Sequence, residues 1–132
     1  MGFEEIPHTA DWSVRVWADD LAGLFAESAR AMNTLAGVVT GPGPRVQRTF
    51  ESEGPDPESR LVAFLSDLIY YQEQESLAFD QFEFGMLAQR LSLTMVGAPI
   101  VSMDKPIKAV TWHNLKIEKT ERGLETLIVF DV

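Results

Sequence analysis

The C-terminal stretch of this chain, Lys108 to Val132, places the strongest constraint on its fold. The residues alternate in the way that is typical of two β-strands folded back on a turn at Glu121-Arg122-Gly123. The second strand, Leu124 to Phe130, is apolar on both faces near its end, and such a strand has to be covered from both sides. The sequence therefore predicts a hairpin whose second strand is central in a β-sheet.

Two negative charges follow this apolar strand directly. Asp131 and the carboxylate of Val132 stand together at the edge of the predicted core. Holding them there is costly unless a cation or a hydrogen-bond donor compensates them. They are either an ordinary solvated strand end or part of a cation site, and this feature alone leaves both readings open.

Composition limits the class of function. A length of 132 residues predicts a single domain over 1–132. There is no cysteine, and His8 and His113 are the only histidines, so thiolate chemistry and a multi-histidine metal site within one chain are excluded. Neither a signal peptide nor a long apolar span is present, which predicts a soluble cytoplasmic protein with no membrane association.

The charge of the chain favours some partners over others. Its net charge of −9 argues against direct electrostatic binding of nucleic acid, which depends on positive charge. The same charge suits a cation or a basic protein partner.

Hydrophobic periodicity predicts the element order β-α-β-α-β-β-β-β. One helix should be capped by Asp19 or Asp20 and end near Gly37, and a second should run from Asp56-Pro57 to about Gln74. The fold predicted from this order is an α/β fold of the α+β kind, a mixed β-sheet with both helices packed on one face. The strands predicted before the hairpin are 13–17, 45–53, 79–84 and 87–96, with an entry segment at 2–7 and an irregular loop at 98–105 that could contact a partner.

Catalytic motifs are absent from the sequence. It contains no G-x-S-x-G, no P-loop, no H-E-x-x-H and no dinucleotide fingerprint. The glycines of 41–44 alternate with prolines, which lack the amide donors that a phosphate cradle needs. No nucleophile or nucleotide site is predicted from these patterns.

Two acids stand at corresponding ends of predicted strands. Asp11 precedes the first strand and Asp131 ends the last, so both carboxylates meet at one sheet edge if these strands are antiparallel neighbours. With the Val132 carboxylate they would offer hard oxygen ligands, which select calcium, magnesium or manganese over zinc or copper. The same pair could instead work as general acid and base, which leaves a stand-alone carboxylate-dependent hydrolase as an alternative.

Other polar and aromatic residues have ordinary structural interpretations. His113 alternates with Leu115 and Ile117, which favours a half-buried histidine bonded to the backbone. Trp17 and Trp112 could stack on RNA, although such residues more often complete a core.

Four motifs carry a resemblance to a known family. The H-T-A-D signature is His8 to Asp11, and the second helix is similar to a D-L-L-x-x-W-L-x-E-L-L-Y pattern at 60–71. A K-A-x-T-Y-H stretch appears at 108–113, and a terminal V-V-F-D-V appears at 128–132. With these motifs in order along nearly its whole length, the chain resembles the archease family.

The resemblance implies a fold, a partner and a site. It implies the archease fold and a protein without catalysis of its own, an activator of the RtcB-type RNA ligase, which joins tRNA halves and repairs RNA ends with GTP and manganese. The activator promotes guanylylation of the ligase and multiple turnover, and meets RNA only indirectly. It implies a divalent metal, calcium in the family, at Asp11 and Asp131 with the Val132 terminus close by. His8, Lys108 and His113 are the supporting residues that match the family's motifs.

The chain departs from the family pattern at a few positions. Trp12 stands where a smaller aliphatic residue is usual, Trp112 replaces a tyrosine, and 98–106 lacks a histidine that many members carry. A general chaperone or RNA-processing adaptor is a further alternative, and the acidity of the chain opposes direct RNA binding by such an adaptor.

Overall fold

The structure, a computed structural model, describes residues 1–6, 11–52, 56–87, 90–112 and 115–132. Its helices are α1 (Leu21–Ala36) and α2 (Pro57–Tyr70), and a π-helical turn (Tyr71–Glu75) continues α2. Within the described ranges, neither helix has the length and apolar character needed to cross a bilayer. The strands are β1 (Gly2–Ile6), β2 (Trp12–Ala18), β3 (Val39–Thr40), β4 (Val46–Ser52), β5 (Leu77–Leu87), β6 (Arg90–Ser102), β7 (Ala109–Val110), β8 (Glu118–Thr120) and β9 (Gly123–Asp131).

Both helices begin and end where local chemistry sets their limits. Asp20 caps α1 by accepting a hydrogen bond of 2.7 Å from the Gly23 amide, and Asp56 caps α2 in the same way. Gly37 closes α1 with φ of 67°, a left-handed conformation that glycine adopts at little cost. The predicted helix starts and the predicted end of α1 are confirmed.

The first sheet contains the C-terminal strand at its centre. Its strands lie in the order β1-β2-β9-β7, and β8 also pairs with β9. Val14 lies opposite Ile128 across the β2–β9 pair, and both side chains are fully buried on the inner face. Since β9 pairs with three strands, its predicted central position is confirmed.

The second sheet is built on β6. This strand pairs with β5 over most of its length and with β4 and β3, and all of these pairs are antiparallel. Gly97 faces Val46 on β4 and Phe79 on β5, and a Cβ atom at Gly97 would overlap the carbonyl oxygen of Ala78. Glycine is therefore required here because the backbones approach too closely for any side chain.

The helices join the two sheets. Helix α1 contacts β2 of the first sheet and β5 of the second, and α2 contacts β7 and β4. Phe64 of α2 stacks on Phe25 of α1 at 5.5 Å between ring centroids and meets the edges of Phe50 and Phe82 from β4 and β5. These apolar and aromatic contacts form one core that holds both sheets in place.

The predicted class and the predicted alternation of helices and strands are confirmed, while the strand pairing differs in detail. The described strands form two antiparallel sheets instead of one mixed sheet, because periodicity identifies the buried face of a strand and not its partner. The predicted entry segment is strand β1, and β6 continues to Ser102 through part of the predicted loop. In place of the long first strand predicted for the hairpin, the structure has two short strands, β7 and β8. The domain boundary 1–132 stays a prediction.

Two glycines of the second sheet provide a matched pair of substitutions. Gly97→Ala should lower the free energy of unfolding by about 2 kcal/mol or more, because the backbone of Ala78 would have to move. Gly85→Ala on β5 meets no atom within 4 Å, so it should change stability by less than about 1 kcal/mol. Urea denaturation of both variants measures the difference, and equal losses would contradict the close approach at Gly97.

Candidate functional site

The pairing of β2 with β9 brings the two candidate acids to the same end of the first sheet. The strands are antiparallel, and the pairing runs from Ala18 opposite Leu124 to Trp12 opposite Phe130. Asp11 directly precedes Trp12 and Asp131 directly follows Phe130. Both acids therefore stand next to the last residue pair of this register, Trp12 opposite Phe130. The antiparallel neighbourhood on which the sequence argument depended is therefore confirmed.

The core fixes the position of Asp131. Phe130 is fully buried, so alternation turns the next side chain to the opposite face, where Asp131 is exposed. The main-chain carbonyl of Asp131 accepts a hydrogen bond of 2.8 Å from the amide of Lys108, and Ala109 of β7 lies opposite Asp131. The Asp131 carboxylate is thus exposed at the surface, while its backbone is fixed by pairing with β7.

Asp11 and Val132, which lie at the same sheet end as Asp131, are partly buried. Asp11 is half-buried, and Val132 is half-buried with its side chain packed against the core. Val132 therefore lies directly after Asp131 at the rim of the core. Asp11 takes part in an interaction of its own in this structure, so it is held and not free.

Lysines lie close to the same sheet end. The amides of Asp104 and Lys105 both donate to the carbonyl of Ala36, at 2.9 and 3.1 Å, which fixes their segment against the end of α1. The Lys105 ammonium then lies 5.7 Å from the ring centroid of Trp12, the neighbour of Asp11. Lys108 lies beside Asp131 through its backbone. The sheet end therefore combines exposed negative and positive groups.

The chemistry of these donors can be tested against a divalent metal. The side chains of Asp11 and Asp131 supply hard oxygen atoms of the kind that calcium, magnesium and manganese prefer. Within the described ranges, no group of three or more His, Cys, Asp or Glu side chains is placed to hold a metal ion. Calcium takes six to eight oxygen ligands. The donors therefore fit part of such a shell, which main-chain carbonyls, water or a partner would have to complete.

The predicted histidines, Trp17 and Trp112 lie outside the acidic strand ends or outside the described residues. His8 and His113 lie outside the described residues, as do Thr9 and Ala10 of the first motif. Trp112 is 57% exposed, so it does not complete the core. Trp17 is half-buried, and the guanidinium carbon of Arg122 lies 4.2 Å from its ring centroid.

A groove beside this sheet end was missed by sequence reasoning. It lies between the C-terminal end of α2 and the segment 103–108, and its cavity volume is about 410 Å³. Ile69 and Ile107 both line it, although they are far apart in the sequence. The sequence gives no sign that these residues are neighbours, and only the tertiary packing of α2 against the segment reveals the groove.

A second acidic group lies on α2 near β4. Burial raises the pKa of Asp67, and the negative charge of Glu75 raises it further. Burial also raises the pKa of the Tyr71 hydroxyl, with Asp67 and Glu75 adding to the effect. Glu75 in turn forms an ion pair of 3.3 Å with Arg48.

Comparisons with known proteins show which family and which solved structures this chain is similar to. A model of the Archease protein family matches residues 3–132. Protein archease of Methanopyrus kandleri is 31% identical over 129 residues, with 92% of each chain covered, and that of Archaeoglobus fulgidus is 30% identical with both chains covered completely. A crystal structure of an archease from Thermotoga maritima, described as a possible chaperone, has a TM-score of 0.72 and 22% identity and covers 98% of this chain and 96% of its own. The solution structure of Methanobacterium thermoautotrophicum Protein 1598 has a TM-score of 0.75 and 21% identity and covers 99% of both chains.

The raised pKa of Asp67 predicts a pH-dependent effect of its neutralisation. A carboxyl whose pKa is higher in the folded state is destabilising when ionised, so Asp67→Asn should stabilise the protein at pH 7. The gain should shrink as the pH falls through the raised pKa and vanish below the ordinary value of 3.8, where Asp67 is protonated in both states. Urea denaturation between pH 7.5 and 3.5 measures it, with the exposed turn variant Glu121→Gln as control. A gain that is independent of pH would contradict this origin.

Proposed function

This chain belongs to the archease family, and on that premise we propose that it is an accessory protein of an RtcB-type RNA ligase. In this proposal it promotes guanylylation of the ligase and multiple turnover in tRNA splicing and RNA repair. The observation that carries the proposal is the antiparallel register of β2 and β9, which brings the strand ends next to Asp11 and Asp131 to the same end of the first sheet. These acids are the positions to which the family resemblance assigns metal binding.

We assign the proposed metal to a small set of residues. Asp11 and Asp131 are its side-chain ligands, and the Val132 carboxylate is a third oxygen donor. Lys108, His8 and His113 are supporting residues, of which Lys108 is held to Asp131 by the hydrogen bond between their backbones. Calcium is the metal we propose, with magnesium and manganese sharing the same ligand chemistry. When bound, such an ion would supply a compact positive charge at an otherwise acidic sheet end.

The charge of the chain supports the proposed partner. A net charge of −9 disfavours a direct grip on RNA, so RNA is reached through the ligase. A ligase that binds RNA needs a basic surface, and an acidic accessory protein is complementary to it. The proposed place of action is the cytoplasm.

A chaperone role is the second candidate, because the Thermotoga maritima relative is described as a possible chaperone. A general chaperone binds many unfolded chains through apolar surface and does not need Asp11 or Asp131. Suppression of aggregation of an unrelated protein, equal for the wild type and for Asp131→Asn, would favour it. A stand-alone hydrolase would instead show a bell-shaped pH–rate profile that depends on Asp131.

Multiple-turnover RNA ligation tests the accessory role. With the RtcB-type ligase of the same organism, the wild-type chain should yield product in excess of the ligase. Asp11→Asn and Asp131→Asn should each lower this stimulation by at least about tenfold, because each removes one carboxylate of the pair. The measurement is product formed per ligase molecule over time.

Asp19→Asn is the matched control for those variants. Asp19 is exposed and follows the opposite end of β2, so its substitution makes the same change in charge away from the proposed site. Full stimulation by both site variants would refute the residue assignment. Absence of stimulation by the wild type would refute the ligase role itself.

Thermal stability tests the metal without any ligase. At a calcium concentration 100-fold above Kd, binding to the folded state alone should stabilise the wild type by about 2.7 kcal/mol, whereas Asp131→Asn should gain much less. In EDTA, Asp131→Asn should be at least as stable as the wild type, because it removes repulsion between carboxylates. Melting curves with calcium, magnesium, manganese and EDTA measure both effects. An equal response of the two proteins to every metal would rule out Asp131 as a ligand.

A further inference from the structure

The groove between the end of α2 and the segment 103–108 has the size of a recognition site. Its volume of about 410 Å³ lies within the range of ligand pockets and of pockets for a large side chain. The floor is apolar and the rim is charged. Ile69, Met103, Pro106 and Ile107 provide the apolar surface, and Glu73 and Lys108 stand at the rim.

The rim charges are available to a partner. Glu73 and Lys108 are both exposed, and neither side chain has a hydrogen bond or ion pair with another described residue. A groove with an apolar floor and unpaired charges at its edge is suited to a side chain that brings both an apolar group and a neighbouring charge.

The walls of the groove are held by hydrogen bonds. On one side, the Asp104 and Lys105 amides donate to the Ala36 carbonyl. On the other side, the buried Gln72 side chain lines the groove and donates to Asn33 at 2.8 Å, and Asn33 donates to the carbonyl of Phe79 at 2.9 Å. Because both walls are fixed in advance, binding in the groove would cost little ordering.

The groove also adjoins the end of the first sheet. Lys108 at its rim donates its backbone amide to the carbonyl of Asp131. A partner that reaches Asp131 would therefore find the groove directly beside it, on the same surface.

We propose that this groove receives a segment of the ligase in which an apolar side chain fills the floor and an adjacent lysine or arginine pairs with Glu73. The inference rests on the proposed function, because that function supplies the partner. The choice of a basic segment follows from charge. An RNA-joining enzyme carries positive surface, and this chain offers it a net charge of −9 and an unpaired carboxylate at the groove rim.

Charge reversal at the rim tests the proposal. Glu73→Lys should weaken binding of the purified ligase by about tenfold, and the loss should shrink at high salt as the lost attraction is screened. Glu121→Lys makes the same change in charge at the hairpin turn, at the other end of β9 from Asp131, and should change Kd by less than about twofold. Isothermal titration at low and high salt measures both variants.

A second substitution addresses the floor of the groove. Met103→Glu places a charge in the apolar surface and should weaken binding at least as much as Glu73→Lys. Met103 also packs against the core, so the folding of this variant has to be checked by urea denaturation. If this variant does not fold, the affinity of Glu73→Lys and crosslinking from position 73 still test the proposal.

Site-specific crosslinking identifies the occupant. The chain has no cysteine, so Glu73→Cys and Glu121→Cys each provide one thiol for a benzophenone label. Illumination of the complex should crosslink the ligase from position 73 and not from position 121. The crosslinked ligase peptide should contain an apolar residue beside a lysine or arginine.

The outcomes separate this inference from the function on which it rests. Wild-type stimulation together with unchanged affinity of Glu73→Lys and no crosslink from position 73 would overturn the groove and leave the accessory role intact. Crosslinking to a ligase peptide without a basic residue would overturn the proposed chemistry of the occupant. If the wild type neither binds nor stimulates the ligase, both proposals fall.

Discussion

The pairing of β9 with β2 is the interaction on which the rest of the structure depends. Ile128 and Phe130 are fully buried on the inner face of β9, so a slip by one residue would turn them outward and expose the core. The register is therefore fixed by apolar burial. The position of Asp131, one residue beyond Phe130 and at the same sheet end as Asp11, follows from that register and needs no contribution from the acids themselves.

The same arrangement explains how acidic groups can persist at the edge of a core. The burial of Phe130 and Ile128 holds the end of β9 in place, and alternation leaves the Asp131 side chain exposed to solvent directly after them. The core therefore stabilises the strand end, whatever the acids bind.

Local rules account for the parts of the fold that the sequence predicted. The caps at Asp20 and Asp56 and the central position of β9 depend on neighbouring residues and on burial alone. The predicted loop at 98–105 was wrong at its start, because Gly97 was interpreted as a chain breaker, whereas it admits the Ala78 carbonyl within the sheet. Strand β1 was missed because its residues are few and a short segment shows little alternation. The meeting of Asp11 and Asp131 could be predicted only conditionally, since a pattern gives no strand partner.

The groove could not be predicted because its two walls come from distant parts of the chain. They meet at the segment 103–108, whose amides are fixed to the end of α1 and whose last residue is bonded to the backbone of Asp131. One short segment therefore connects the groove, the first sheet and the acidic strand end. The groove wall and the backbone of Asp131 are therefore parts of one hydrogen-bonded unit, which the packed core holds in a single arrangement.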